Sequence, residues 1–256
     1  MKLTSPEVVL WRMNRQHKSW CVVPKTTPVP FFGNIEVARF ITIGINPSFS
    51  EFLSNDGKLL TGNARRLEDH NSLSINEAEY YEQVGLENAD KIYKSCIGYF
   101  TRNPFNWFLK MENTINSAFN SSYYNDSAAH LDLVQWATKP VWSELEKKDL
   151  IIARHLIEND KSFLIQHLDW LKQNNPNLSN IFLSGRTVIN NLSSEMNLQN
   201  VGKTRVAEKE KQYELFTGEF QGIRVFGSTM NVPDSRTSNS HRLYLNQWLR
   251  DKIASW

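Results

Sequence analysis

The stretch Arg39–Phe52, RFITIGINPSFSEF, limits the fold of this chain more than any other. Phe40 to Ile45 is an apolar run and Asn46-Pro47-Ser48 follows it at once, so a buried strand empties into a rigid, polar loop. Open parallel sheets bind their ligands at the carboxyl ends of strands, which makes this junction the first candidate site. Gly44 has no Cβ and lets a second backbone or a flat ligand approach. Asn46 brings one acceptor and two donors to the strand tip, with Pro47 fixing the backbone behind it.

Further apolar segments repeat the pattern. His130–Thr138, HLDLVQWAT, reads as a second buried strand ended by Lys139-Pro140, and Ile181-Phe182-Leu183 as a short third one. From Tyr213 onward, alternation with Gly218 and Gly222 indicates a hairpin or a bent pair of strands, the second being Ile223 to Phe226. Helical patterns separate them. Ser5-Pro6-Glu7 opens a short first helix, and Asn103-Pro104 opens one with Phe108, Met111, Ile115 and Phe119 on its inner face. Residues 143–176 read as a helix stopped by Pro176, and Ser184-Gly185-Arg186-Thr187 turns into another that carries Val188, Ile189, Leu192 and Met196. A last helix, capped by Ser238 or Ser240, presents Leu245, Trp248, Leu249 and Ile253. Strands at about 39–45, 130–137, 180–184 and 222–228, alternating with helices, predict an α/β fold: a three-layer αβα sandwich around a central four-stranded parallel sheet. The expected organisation is one domain over 1–256, with an N-terminal extension (1–38), a polar insertion (53–100) and an exposed loop or edge at Val201–Lys211.

Composition removes several classes. Two cysteines, Cys21 and Cys96, are too few for a thiolate zinc or iron–sulfur site and give no disulfide framework. Neither GxGxxG nor GxxxxGKS follows a strand, so no nucleotide cofactor site is expected, and no metal or other cofactor is implied. No stretch approaches the roughly 18 apolar residues of a membrane span, which makes a cytoplasmic protein, a monomer with no membrane partner, the default expectation. An acyl hydrolase built on Ser48 or Ser184 with His241 or His130 would need a GxSxG elbow, and none is present.

A net charge of +2 does not by itself announce nucleic-acid binding, so any such face depends on how charge is distributed. Residues 1–25 carry Lys2, Arg12, Arg15, Lys18 and Lys25 against Glu7, which is either a phosphate-facing surface or a solvated one. Arg65 and Arg66, beside Asn63, could face a phosphate, or Arg66 could pair with Glu68 or Asp69. Gln135 has an amide that can read a base edge or satisfy neighbouring backbone. The second informative stretch is GSTMNVPDSRTSNSHR, a polar connection from the last strand into the last helix.

GINPS resembles the first motif of the uracil-DNA glycosylase superfamily and is closest to the GINPG of its mismatch-specific uracil/thymine branch. That superfamily is similar in overall plan, with a second motif between the last strand and last helix, where Asn231-Val232-Pro233-Asp234-Ser235-Arg236 stands here. The resemblance implies a uracil-DNA glycosylase-like fold and an enzyme that removes uracil or another damaged or mispaired base from duplex or single-stranded DNA. On this reading Asn46 positions the attacking water, and Asn231 contacts the base or its leaving charge. Gly44, Ile45, Pro47, Ser48, Phe49 and Gln135 surround the flipped base, with Phe49 either stacking on it or packing. Arg65, Arg66, Ser235 and Arg236 contact DNA. The second stretch departs from the family's HPSPLS, NPSGLS or MPSSSAR forms: Val-Pro replaces Pro-Ser, and Asp234 intrudes.

The chemistry suits these residues. Cleavage of a pyrimidine N-glycosidic bond passes through an oxocarbenium-like sugar and calls for a placed water, donors for the departing base anion and room for an extruded nucleotide. Asparagine orients rather than deprotonates water, and neither motif holds a lysine for a Schiff-base lyase step. The competing reading is a catalytically inactive nucleic-acid or nucleotide binding module on the same fold.

Overall fold

A computed structural model of the chain describes residues 5–13, 19–76, 85–102, 104–205, 211–234 and 236–255. Among them are six strands in one sheet: β1 Phe40–Gly44, β2 Ala128–Asp132, β3 Asn180–Ser184, β4 Gln199–Lys203, β5 Glu214–Phe220 and β6 Ile223–Ser228, in the order β2-β1-β3-β6-β5-β4. β1 pairs parallel with β3 and β3 with β6, whereas β5 is antiparallel to both β6 and β4. The protein is therefore α/β with a mostly parallel sheet.

The expected count of four strands is corrected to six, because the chain after β3 adds two antiparallel strands at one edge. β5 and β6 form a tight hairpin through Gln221 (φ 50°) and Gly222 (φ 81°), left-handed angles that suit a two-residue hairpin loop. β4 overlaps the start of the Val201–Lys211 segment read as loop or edge, and its exposed residues fit an edge strand.

The second expected strand also ends early. β2 stops at Asp132, and the next residues turn their backbone to the N-terminal segment instead: Val23 N–H donates to Ala137 O (3.0 Å), Val29 N–H to Gln135 O (2.8 Å) and Lys139 N–H to Cys21 O (2.8 Å). Gln135 therefore lies in a connection, not in the sheet. The Lys139-Pro140 peptide that closes this segment is cis.

Seven α-helices are described: α1 Ser5–Met13, α2 Leu86–Ile97, α3 Phe108–Phe119, α4 Trp142–Lys148, α5 Leu150–Asn174, α6 Arg186–Leu192 and α7 Asn239–Ala254. The single helix expected over 143–176 is two, since Asp149 breaks the run and caps α5, its carboxylate accepting from Ile152 N (3.1 Å). α3 begins at Phe108, later than the Asn103-Pro104 signal, and Asn103 itself lies outside the described residues. Inside the insertion, α2 buries Ala89, Ile92, Tyr93 and Cys96 at helical spacing. No helix among the described residues is long and apolar enough to cross a membrane.

The chain divides into two compact units: Met1–Asn34, Asn46–Phe105 and Leu131–Leu171 in the first, and Ile35–Ile45, Asn106–His130 and Lys172–Trp256 in the second. In the second unit, Phe119 of α3 packs on Phe40 of β1 (ring centroids 4.1 Å) and Phe226 of β6 (5.6 Å), and Trp248 of α7 meets Phe226 (6.4 Å). Gly227, next along β6, faces the opposite way: a Cβ there would lie 2.5 Å from Ile189 Cδ1 of α6. Helices thus cover both faces of the sheet within this unit. In the first unit, Trp11 of α1 stacks on Phe163 of α5 (5.1 Å), Phe31 meets Tyr93 of α2 edge-on (5.1 Å), and Phe32 meets Tyr99 (4.8 Å).

Candidate functional site

β1 lies between β2 and β3, so sequential strands leave it on opposite sides, and its carboxyl end is the kind of switch point where open sheets bind ligands. Gly44 is buried at that end, Ile45 is half-buried, and Asn46 follows as the first residue of the first unit's loop.

The side chain of Asn46 is held. Its Nδ2 donates to Thr138 Oγ1 (2.9 Å), Pro47 O (3.0 Å) and, at a longer 3.3 Å, Trp136 O. Two of these three partners are carbonyls, which only accept, so the amide orientation is decided by chemistry. Oδ1 is left on the other side, and no described residue donates to it. A fixed amide carbonyl on a half-buried residue is an acceptor that can orient a water or a ligand N–H or O–H, and an amide does not remove a proton.

The acceptors are themselves fixed. Thr138 bridges Ser48 on one side and Val22 on the other. Pro47 is buried, and Ser48 caps a short 3-10 turn, Phe49–Glu51, by accepting from Ser50 N (3.2 Å). Phe49 is half-exposed, with Lys139 Nζ over its ring 5.7 Å from the centroid.

Glu51 ends that turn and is buried, with Tyr99 Oη donating to its Oε2 (2.7 Å) while accepting from Phe105 N (2.9 Å). Burial pushes the Glu51 carboxyl up from 4.5 to about 7; Tyr99 and Arg66 pull it down, and Asp132 adds to the rise. Glu51, five residues after Asn46, is therefore held toward its protonated form. The sequence reading missed Glu51, Tyr99 and Thr138. A signal for Glu51 was available, since a lone carboxylate flanked by Phe49 and Phe52 in a loop leaving a buried strand is poorly placed for solvent.

Arg66 donates from Nη1 to Ser50 O (2.8 Å) and lies over the Phe105 ring (5.5 Å), while Arg65 Nε is 3.7 Å from Asp69 Oδ2. The acidic partner expected for Arg66, Glu68 or Asp69, is not the one these contacts show; Asp69 lies beside Arg65 instead. Gln135 is buried, its Nε2 donating to Asp132 O (2.7 Å) and Leu133 O (3.2 Å) and its Oε1 accepting from Arg12 Nε (3.2 Å). Its amide serves the protein interior, the second of the two uses open to it.

In the second unit, Ser184 at the end of β3 ties down the second informative stretch, donating to Met230 O (3.3 Å) and accepting from Val232 N (3.2 Å). Asn231 is exposed there. Its backbone carbonyl accepts from Asp234 N (3.1 Å) and Thr237 Oγ1 (3.0 Å), so the side chain stands on a closed turn. Arg242 braces the same turn, reaching Val232 O (3.0 Å) and Asp234 O (2.7 Å). Arg236 is exposed but forks onto Asp234 (2.6–3.1 Å), which holds the Asp234 carboxyl below the usual range. Ser235 lies outside the described residues. Ser238 caps α7 and bonds His241 Nδ1 (2.6 Å).

A scan of the chain against protein-family models returns no match, and a search of curated proteins returns none either.

Proposed function

We propose that this chain is a DNA glycosylase-like hydrolase on a uracil-DNA glycosylase-like fold, removing uracil or another damaged or mispaired base through a water oriented by Asn46. The observation that carries the proposal is the anchored amide: Nδ2 is committed to Thr138, Pro47 and Trp136, which leaves Oδ1 as a fixed acceptor. In the proposed reaction a water hydrogen bonds to Oδ1 and the water oxygen forms a bond to C1′ as the C1′–N bond breaks. The bonding pair leaves with the base, and the water's second proton passes to solvent or to the departing base anion. Fixing the water's direction before the barrier is reached is what an asparagine contributes here, and it supplies no proton acceptor. Phe49, half-exposed in the same unit as Asn46, is the proposed stacking surface for the base.

The test is release of base from labelled DNA containing uracil, hypoxanthine or mispaired thymine, read as strand cleavage in alkali. Cleavage by the wild type that is lost in Asn46→Ala supports the proposal; cleavage unchanged by that substitution removes Asn46 from the chemistry.

A second reading, an inactive binding module for nucleic acid or nucleotides, is favoured by Asp234, which neutralises Arg236 in the stretch that would face DNA. Retention of DNA in a gel shift with no base released from any of the three substrates would select it.

A further inference from the structure

Behind the Asn46 loop lies a polar cluster that the proposed chemistry does not use. Arg12 of α1 forms a salt bridge with Asp160 of α5 in which the side chains are 2% and 0% exposed. Arg12 Nε also donates to Gln135 Oε1 (3.2 Å), and its guanidinium lies over the rings of Trp136 (5.4 Å) and Phe163 (5.7 Å). Asp160 uses its second oxygen on backbone: Oδ2 accepts from Gln135 N (2.9 Å). The residue after Gln135 supplies the carbonyl, and Thr138 the hydroxyl, that hold Asn46.

A buried ion pair is a poor source of net stability, because desolvating both charges costs about as much as their attraction returns. In some systems such groups are retained because they fix one arrangement among several of similar energy. Here the arrangement in question is the backbone path Gln135–Thr138, bonded at one end by Asp160, faced by the Arg12 guanidinium and ending on the Asn46 amide. We infer that Asp160 is a positioning residue for Asn46, acting through Gln135 and Trp136 to set where the Asn46 carbonyl oxygen points, and that Arg12 is the counter-ion that balances its buried carboxylate. The inference rests on the reading of Asn46 as the group that orients the water, but the clamp itself is a statement about geometry and is measurable without turnover.

The experiment compares two double variants of the full chain. Arg12→Met with Asp160→Leu removes both charges together, so no buried charge is orphaned, and it removes the acceptor for Gln135 N. Arg12→Met with Asp160→Asn keeps a carbonyl oxygen for that N–H. The readouts are the side-chain amide resonances of Asn46 in 15N-labelled protein, single-turnover base release, and DNA affinity by gel shift. In the Leu form the Asn46 amide pair is expected to shift and broaden and base release to fall about a hundredfold, the cost of displacing a reacting geometry by about 1 Å, with DNA affinity unchanged. The Asn form is expected to recover most of the wild-type resonance position and rate. Unmoved Asn46 resonances in a folded Leu form, or equal behaviour of the two forms, would overturn the clamp. Should the Leu form not fold, hydrogen exchange in the wild type decides: the Gln135 amide, bonded to a fully buried carboxylate, is expected to exchange only on global unfolding, and fast exchange there overturns the inference. Shifted Asn46 resonances in a protein that releases no base from any substrate would keep the clamp and dismiss the glycosylase reading.

Discussion

Replacing Glu51 by glutamine isolates one buried proton. The carboxyl is raised from 4.5 to about 7, so between these values the folded protein holds a proton that the unfolded chain has released. Stability then falls as pH rises through that window, because the folded state binds the extra proton. A shift from 4.5 to about 7 corresponds to about 3 kcal/mol once both states are ionised. Integrating the two titrations gives a loss of about 1 kcal/mol by pH 5 and about 3 kcal/mol by pH 8, relative to a side chain that never ionises. Glutamine is such a side chain, and its Oε1 can still accept from Tyr99 Oη. The stability difference between Glu51→Gln and wild type is therefore expected to widen in the variant's favour by about 2 kcal/mol from pH 5 to pH 8. Urea titrations of both proteins at those two pH values, followed by tryptophan fluorescence, measure it. Other carboxylates cancel in the comparison, since both proteins carry them. A difference that stays constant to within about 0.5 kcal/mol would refute the buried, near-neutral assignment of Glu51.

His167 gives the mirror image. It is buried among Phe31, Phe163 and Trp170, its Nδ1 has no hydrogen-bond partner among the described residues, and burial depresses its pKa from 6.5 to about 4. The unfolded chain takes up this proton first on acidification, so His167→Phe is expected to lessen the loss of stability between about pH 6.5 and pH 4, and an unchanged acid arm in urea titrations would count against it. Thr138→Val removes the shortest acceptor of the Asn46 amide while keeping the side chain's shape. The expected cost is about 1 kcal/mol in urea unfolding, with base release falling at least tenfold, and full activity would deny Thr138 a part in holding Asn46. Gly218→Ala is expected to cost more than Gly227→Ala, about 2–3 kcal/mol against about 1. A Cβ at Gly218 would meet the backbone oxygen of Met196 at 2.3 Å, whereas at Gly227 it meets the movable tip of Ile189. Equal urea midpoints for the two variants would contradict that distinction.

Local pattern was enough to read β1, β3, β6 and the inner faces of α3, α6 and α7, because each buries a side-chain repeat that a strand or helix imposes on its own sequence. The end of β2 was not readable in this way. Leu133 to Thr138 is as apolar as the strand before it, and only its backbone partners in residues 21–29 set it apart. β4 was illegible for the opposite reason: its residues are exposed and polar, and only pairing with β5 makes them a strand. α2 carried a readable helical spacing inside a stretch whose overall polarity masked it.

For the candidate site, the sequence by itself determined that a buried strand delivers Asn46 to a rigid turn, since an apolar run followed by Asn-Pro permits little else. Tertiary structure alone decided which way the Asn46 amide faces. Its acceptors, Trp136 O and Thr138 Oγ1, lie about ninety residues away in the chain, and Asp160, which bonds the backbone leading to them, is paired with Arg12 across 148 positions. The pKa of Glu51 likewise follows from burial beside Tyr99 and Asp132. Hydrogen-bond direction and desolvation depend on what surrounds a group in space, and periodicity along the chain reports only which side of its own element a residue occupies.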